Sequence, residues 1–129
     1  MANSNKLETS IKEEIEMLIK KEEKDAIDNK GKLEKDFLYG FSWYSEGLYK
    51  SLYLAMLYKE VLSKEQKEDD LEIISKRLIA YWTKQILDGF LSVKSSCGLS
   101  NMKSIWELEC QKEFVKQLGY VVDRASIRI

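Results

Sequence analysis

Apolar residues recur at intervals of three and four along most of the chain, the spacing that lays them on one side of an α-helix. Leu7, Ile11, Ile15 and Leu18 form a narrow stripe between the charged runs Lys12-Glu13-Glu14 and Lys20-Lys21-Glu22-Glu23-Lys24, predicting a first amphipathic helix. Ser10 and Glu13 have the spacing of a capping box, in which each side chain satisfies a backbone donor of the first turn. The helix is therefore expected to begin there, with residues 1–9 frayed. Asp28-Asn29-Lys30-Gly31 carries turn chemistry, because Asn and Gly tolerate positive φ, and places the first connection.

Residues 32–62 are helical in character but apolar around much of the circumference, as expected of a helix surrounded by others. Phe37, Phe41, Tyr44, Leu48, Leu52, Ala55, Tyr58 and Leu62 fall on one broad side and are core candidates. Gly40 and Gly47 lie nearly in line, which either admits a close neighbouring backbone or marks a break between two shorter helices. The charged stretch 63–70 forms the next connection, with Asp69 or Asp70 as N-cap of a third helix running to about residue 93. Leu71, Ile74, Leu78, Trp82, Ile86 and Phe90 give that helix a buried side.

Residues 95–101 read as a loop in which Ser100 or Asn101 can cap a fourth helix. That helix carries Met102, Trp106, Cys110, Phe114 and Leu118 at strict intervals of four, with Gly119 placed as a left-handed C-cap. Beyond it the period changes: Ala125, Ile127 and Ile129 alternate with Ser126 and Arg128 after Val121-Val122, a strand pattern. A lone strand needs a partner for its backbone groups, so this segment either pairs with a second copy, giving a homo-oligomer, or with the edge of another protein's sheet, or else is a frayed terminus or short apolar arm lying over the bundle. The fold class expected is all-α: a bundle of four to five helices in a single domain over residues 1–129, with a short extended arm at 120–129.

Composition supports this reading. The 129 residues suit one domain, 44% of them are hydrophobic and 33% charged, and the absence of proline removes the commonest breaker of helix interiors. The formal net charge of −1 hides a gradient, since residues 1–72 hold twelve Lys or Arg against seventeen Asp or Glu, and residues 73–129 hold nine against five. The run Met1 to Ser10 is too polar for a secretory signal, and no apolar run is long enough to span a bilayer, so a cytoplasmic location with reduced thiols is expected.

Catalytic chemistry is thinly provided. With no histidine and two cysteines, Cys97 and Cys110, thirteen positions apart, the chain lacks a Ser-His or Cys-His pair and four zinc ligands. No glycine-rich phosphate loop occurs, and the carboxylate pairs Glu13/Glu16 and Asp69/Asp70 sit in charged stretches that read as solvated surface. A non-enzymatic protein without metal or cofactor is expected.

Binding is better signalled. Eight of fourteen aromatic residues fall between Phe37 and Tyr58. On a helical projection Tyr39, Tyr49, Tyr53 and Leu57 share the polar side with Glu46, Lys50 and Glu60. Tyrosine joins a large apolar surface to a water-tolerant hydroxyl and is enriched at interface centres, so these four residues are the candidate contacts for a protein partner of an inhibitor, immunity or adaptor protein, the other reading being that a helix of the same domain, such as the amphipathic first one, covers them. The alternative is a helical subunit of a nucleoprotein complex, in which Lys76, Arg77 and Lys84, set beside Tyr81, contact nucleic-acid phosphates.

Overall fold

The computed structural model describes the backbone of residues 2–64, 70–94 and 99–128, and the side chains of 10–36, 40, 43–64, 70–89 and 104–125. Four helices account for almost all of it: α1 (Ala2–Lys35), α2 (Phe37–Ser63), α3 (Leu71–Lys94) and α4 (Leu99–Arg128). At 1.5 Å per residue, α1 is about 50 Å long.

Asp36 is the only residue separating α1 from α2, with φ −135° and ψ 56°. Its N–H still donates to the Lys32 carbonyl, and its own carbonyl accepts from Gly40, so both helices close their backbone bonds across the break. At the start of α3 the sequence expectation holds: the Ile73 N–H donates to Asp70 Oδ1 at 2.9 Å, a side-chain N-cap.

The helices run up-down-up-down. Glu23 of α1 pairs with Lys59 of α2 at 2.8 Å, and Asn29 lies against Gly47, so low numbers on one helix meet high numbers on the other. α1 and α4 are likewise antiparallel, joined by Arg124 Nε and Glu14 Oε1 at 2.9 Å. α2 and α4 run in the same direction, with Tyr49 facing Glu107 and Tyr53 facing Gln111.

One core draws on all four helices: Ile11, Ile15 and Ile19; Leu54, Leu57, Tyr58 and Val61; Leu71, Ile74 and Leu78; Cys110, Phe114, Leu118, Val121 and Ala125. The Phe114 ring is central, 5.4 Å from the Tyr58 centroid and 6.5 Å from Trp82 in an edge-on arrangement.

Four boundary expectations are corrected. The Ser10/Glu13 box lies inside α1, whose helix reaches back to Ala2. The Asp28–Gly31 turn is also helical. Ile19, Glu22 and Ala26 continue the buried stripe past Leu18, and packing of that face outweighs the weak local preference of Asn and Gly. Asn29 instead donates to the Asp25 carbonyl one turn back, at 2.9 Å.

The fourth helix begins at Leu99, so Ser100 and Asn101 lie within it rather than capping it. Finally, the extended arm is replaced by helix through Arg128, and Gly119 is interior. Val121, Val122 and Ala125 are buried because they extend the fourth helix's own stripe from Phe114 and Leu118, a period the alternation of the last five residues had masked. With no strand over residues 120–128, strand exchange between copies loses its element. Ile129 lies outside the described residues.

α2 is continuous through Gly40 and Gly47. A Cβ at Gly47 would come within 2.9 Å of the Asn29 side chain, so this glycine admits the α1 surface.

Candidate functional site

The four residues expected to face a partner divide. Leu57 is 1% exposed and belongs to the core, and the Tyr39 side chain lies outside the described residues. Tyr49 and Tyr53 are half-buried along the seam between α2 and α4. Their rings stack with centroids 6.3 Å apart, and Tyr49 also packs against Trp106 at 5.9 Å.

The hydroxyls are engaged as well. Tyr49 donates to Glu107, and Gln111 Nε2 donates to the Tyr53 hydroxyl at 2.9 Å. Burial and then the Glu107 carboxylate raise the Tyr49 phenol above its ordinary pKa, while burial raises Tyr53 against the opposing Gln111 hydrogen bond. Lys50 closes the seam with Glu109 and with Glu46, the latter at 2.9 Å. This belt of tyrosines therefore joins helices of the same chain. Tyrosine among charges suits such a seam for the reason it suits an interface: an apolar ring with a polar end.

A second cluster joins groups of catalytic type. Glu22, Tyr58 and Cys110 are all buried. Burial pushes the Cys110 thiol up to about 12, and the thiol donates to the Lys50 carbonyl at 3.5 Å. A buried thiol held protonated is a packing group, not a nucleophile. Glu22 is raised chiefly by burial, partly offset by Lys21, with Asp25 and Glu113 adding to the rise.

An elevated carboxyl pKa sets the pH dependence of stability. Below its ordinary value of about 4.3 both folded and unfolded forms hold the proton and no stability is lost. As pH climbs through the folded value, the native state must ionise a buried group, and stability falls. Glu22→Gln is therefore expected to raise the urea midpoint at pH 7 and leave it unchanged near pH 4. An equal shift at both pH values would mean that the carboxyl is not the cause.

What the helices leave uncovered is apolar. On the α1–α2 hairpin, Ile27 is 71% exposed, Leu52 54% and Met56 52%. Ile27, Leu48 and Leu52 line a shallow groove of about 370 Å³, bordered by Glu23 and Lys30. Leu52 was expected in the core. The buried side of α2 is instead centred on Leu54, Leu57, Tyr58 and Val61, which leaves the Leu48–Leu52–Met56 line outside. Ile27 was not anticipated, because the turn assigned to 28–31 hid its place on a continuing helix.

Of the basic residues, Lys76 is held by Glu72 at 3.0 Å. Arg77 and Lys84 are exposed on α3 beside Tyr81. Cys97 and Asp69 lie outside the described residues. Among the described residues no group of three carboxylates or thiols is arranged to hold a metal ion, and no helix is long and apolar enough to cross a membrane.

No protein-family model, curated protein or solved structure matches this chain.

Proposed function

We propose that the chain is a small non-enzymatic interaction module of inhibitor, immunity or adaptor type, which binds a protein partner through the outer face of the α1–α2 hairpin. The observation that carries this reading is the strip Ile27, Leu48, Leu52 and Met56, three of whose members are more than half exposed while the polar rim of Glu23, Lys30 and Lys59 surrounds them. Burying an aliphatic side chain of this size stabilises by ~1.5–3 kcal/mol, so a partner that covers the strip gains several such increments. A groove between two antiparallel helices fits the apolar face of a third, with anchors at helical spacing. The tyrosine belt then acts indirectly by fixing α2 against α4.

Leu52→Glu and Ile27→Glu are expected to abolish capture of the partner from extracts of the native host while helical content and thermal midpoint stay unchanged, because both sites are solvent-facing. The loss should persist across ionic strengths. Equal recovery of the same partner by wild type and both variants would remove this reading.

The nucleoprotein alternative rests on Lys76, Arg77 and Lys84 of α3, where Lys76 also pairs with Glu72. It requires retention on single-stranded RNA that falls steeply with salt, because phosphate contacts release counterions.

A further inference from the structure

The charges beside the hairpin strip are ordered about its centre. On α1, Lys20, Ile27 and Glu34 lie nearly in line, because seven residues make almost two full turns, while Glu23 and Lys30 stand about one turn to either side of Ile27 and toward α2. Lys20, Lys30 and Glu34 are exposed and have no ion pair among the described residues, and Glu23 meets Lys59 through Oε2. Read along the helix, the face runs base, acid, isoleucine, base, acid. On α2, Leu48, Leu52 and Met56 follow at intervals of four, and Leu52 lines the same groove as Ile27.

Such a face is complementary to itself when reversed. A two-fold axis over Ile27 carries Lys20 to the place of Glu34 and Glu23 to the place of Lys30, and in an isologous contact each pairing occurs twice. Lys24 projects on the far side of the Lys20–Ile27–Glu34 line from Lys30, so these like charges stay apart. Along α2 the same operation sets Leu48 against Met56 and Leu52 against itself.

We propose that the outer face of the α1–α2 hairpin binds a second copy of the chain in this arrangement, each α1 antiparallel to the other, so that the two copies mask one another's partner strip. The inference rests on the function proposed above and adds its regulation: a partner reaches the strip of the monomer only. Ion pairs across the axis fix the orientation, and the aliphatic line supplies the affinity. Laying α1 on α2 of the second copy would instead bring Lys20 toward Lys59, base against base. A nucleic acid or an anionic lipid surface suits the face less well, because Glu23 and Glu34 share it with the lysines.

The size of the face makes the dimer weak. Fourteen residues separate Lys20 from Glu34, about 21 Å of helix, and two packed helices are about 20 Å across. That is the small end of specific interfaces, with a Kd on the order of 100 µM, so the dimer gives way to a tighter partner.

Sedimentation velocity of the pure full chain, from about 10 µM to about 1 mM, spans that constant and should show monomer passing into dimer. Leu52→Glu should remain monomeric. Lys20→Glu should weaken association about tenfold, because the axis repeats the substitution in both copies, and adding Glu34→Lys to it should restore the dimer. Recovery by charge exchange is a result that unspecific apolar contact does not give. A wild type monomeric throughout, association unchanged in Leu52→Glu, or no recovery in the exchanged variant would each overturn the proposal without touching capture of the host partner. Dimerisation as expected, with capture intact in Leu52→Glu, would instead remove the functional reading and leave only the dimer.

Discussion

Phe114→Ala is expected to destabilise the protein by about 3–5 kcal/mol, the usual cost of emptying a buried aromatic site. Domains of this size have only roughly 5–15 kcal/mol of stability, so the variant stands near the edge of folding at ambient temperature. The ring is fully buried on α4 and touches Tyr58 of α2 and Trp82 of α3, so its removal unsupports two helices together. Trp82 would then lose the ring it packs against edge-on. Urea denaturation should show a large fall in midpoint with little change in slope, and Phe114→Leu, which keeps most of the volume, should lose far less. A fall below about 1 kcal/mol for the alanine variant would place the ring outside the centre of the core.

The second large effect concerns the end of α4. Removing residues 121–129 deletes Val121, Val122 and Ala125, all buried, together with the Arg124–Glu14 pair. Two valines at ~1.5–3 kcal/mol each give a loss of about 4 kcal/mol before the alanine is counted. The ion pair adds little, because Arg124 is exposed. An extended arm lying over the bundle, or exchanged between copies, would leave the intramolecular core intact. The truncated chain is instead expected to lose helical signal and thermal midpoint together, with α1 loosened because Ile11 and Ile15 pack into the same cluster. A truncated protein with an unchanged midpoint, read by circular dichroism, would contradict the helical end of α4.

Much of this architecture was legible in the sequence, and the parts that were not share a physical cause. Periodicity located α2 and α3 and the first two-thirds of α4, and it placed Tyr58, Leu71, Ile74, Leu78, Cys110, Phe114 and Leu118 correctly in the core, because long-range packing uses the same 3.6-residue repeat that a single helix displays. Asp70 was readable as a cap because its side chain acts within three residues. Local chemistry misled where packing opposed it. Asn29 and Gly31 would favour a turn in a short peptide, but a helix with a buried stripe on either side of them continues through. Val121-Val122 likewise has strand preference, and burial against α1 overrides it.

The tyrosines of α2 pose a different difficulty. A projection distinguishes a polar side from an apolar one, yet a half-buried seam between parallel helices has both characters. Tyr49 and Tyr53 could be assigned only once Glu107 and Gln111 stood opposite them. The Arg77–Tyr81–Lys84 line was visible as a pattern because its members share one face of a single helix.

The pairing of the first helix with the last sets a condition on biosynthesis. Ile11 and Ile15 share a core with Val121 and Ala125, more than a hundred positions downstream. A chain synthesised only as far as α3 therefore presents three helices around an unfilled trough, greasy and open to wrong company, until α4 emerges to fill it. Closure waits for α4, and chaperone demand should be greatest just before that helix becomes available.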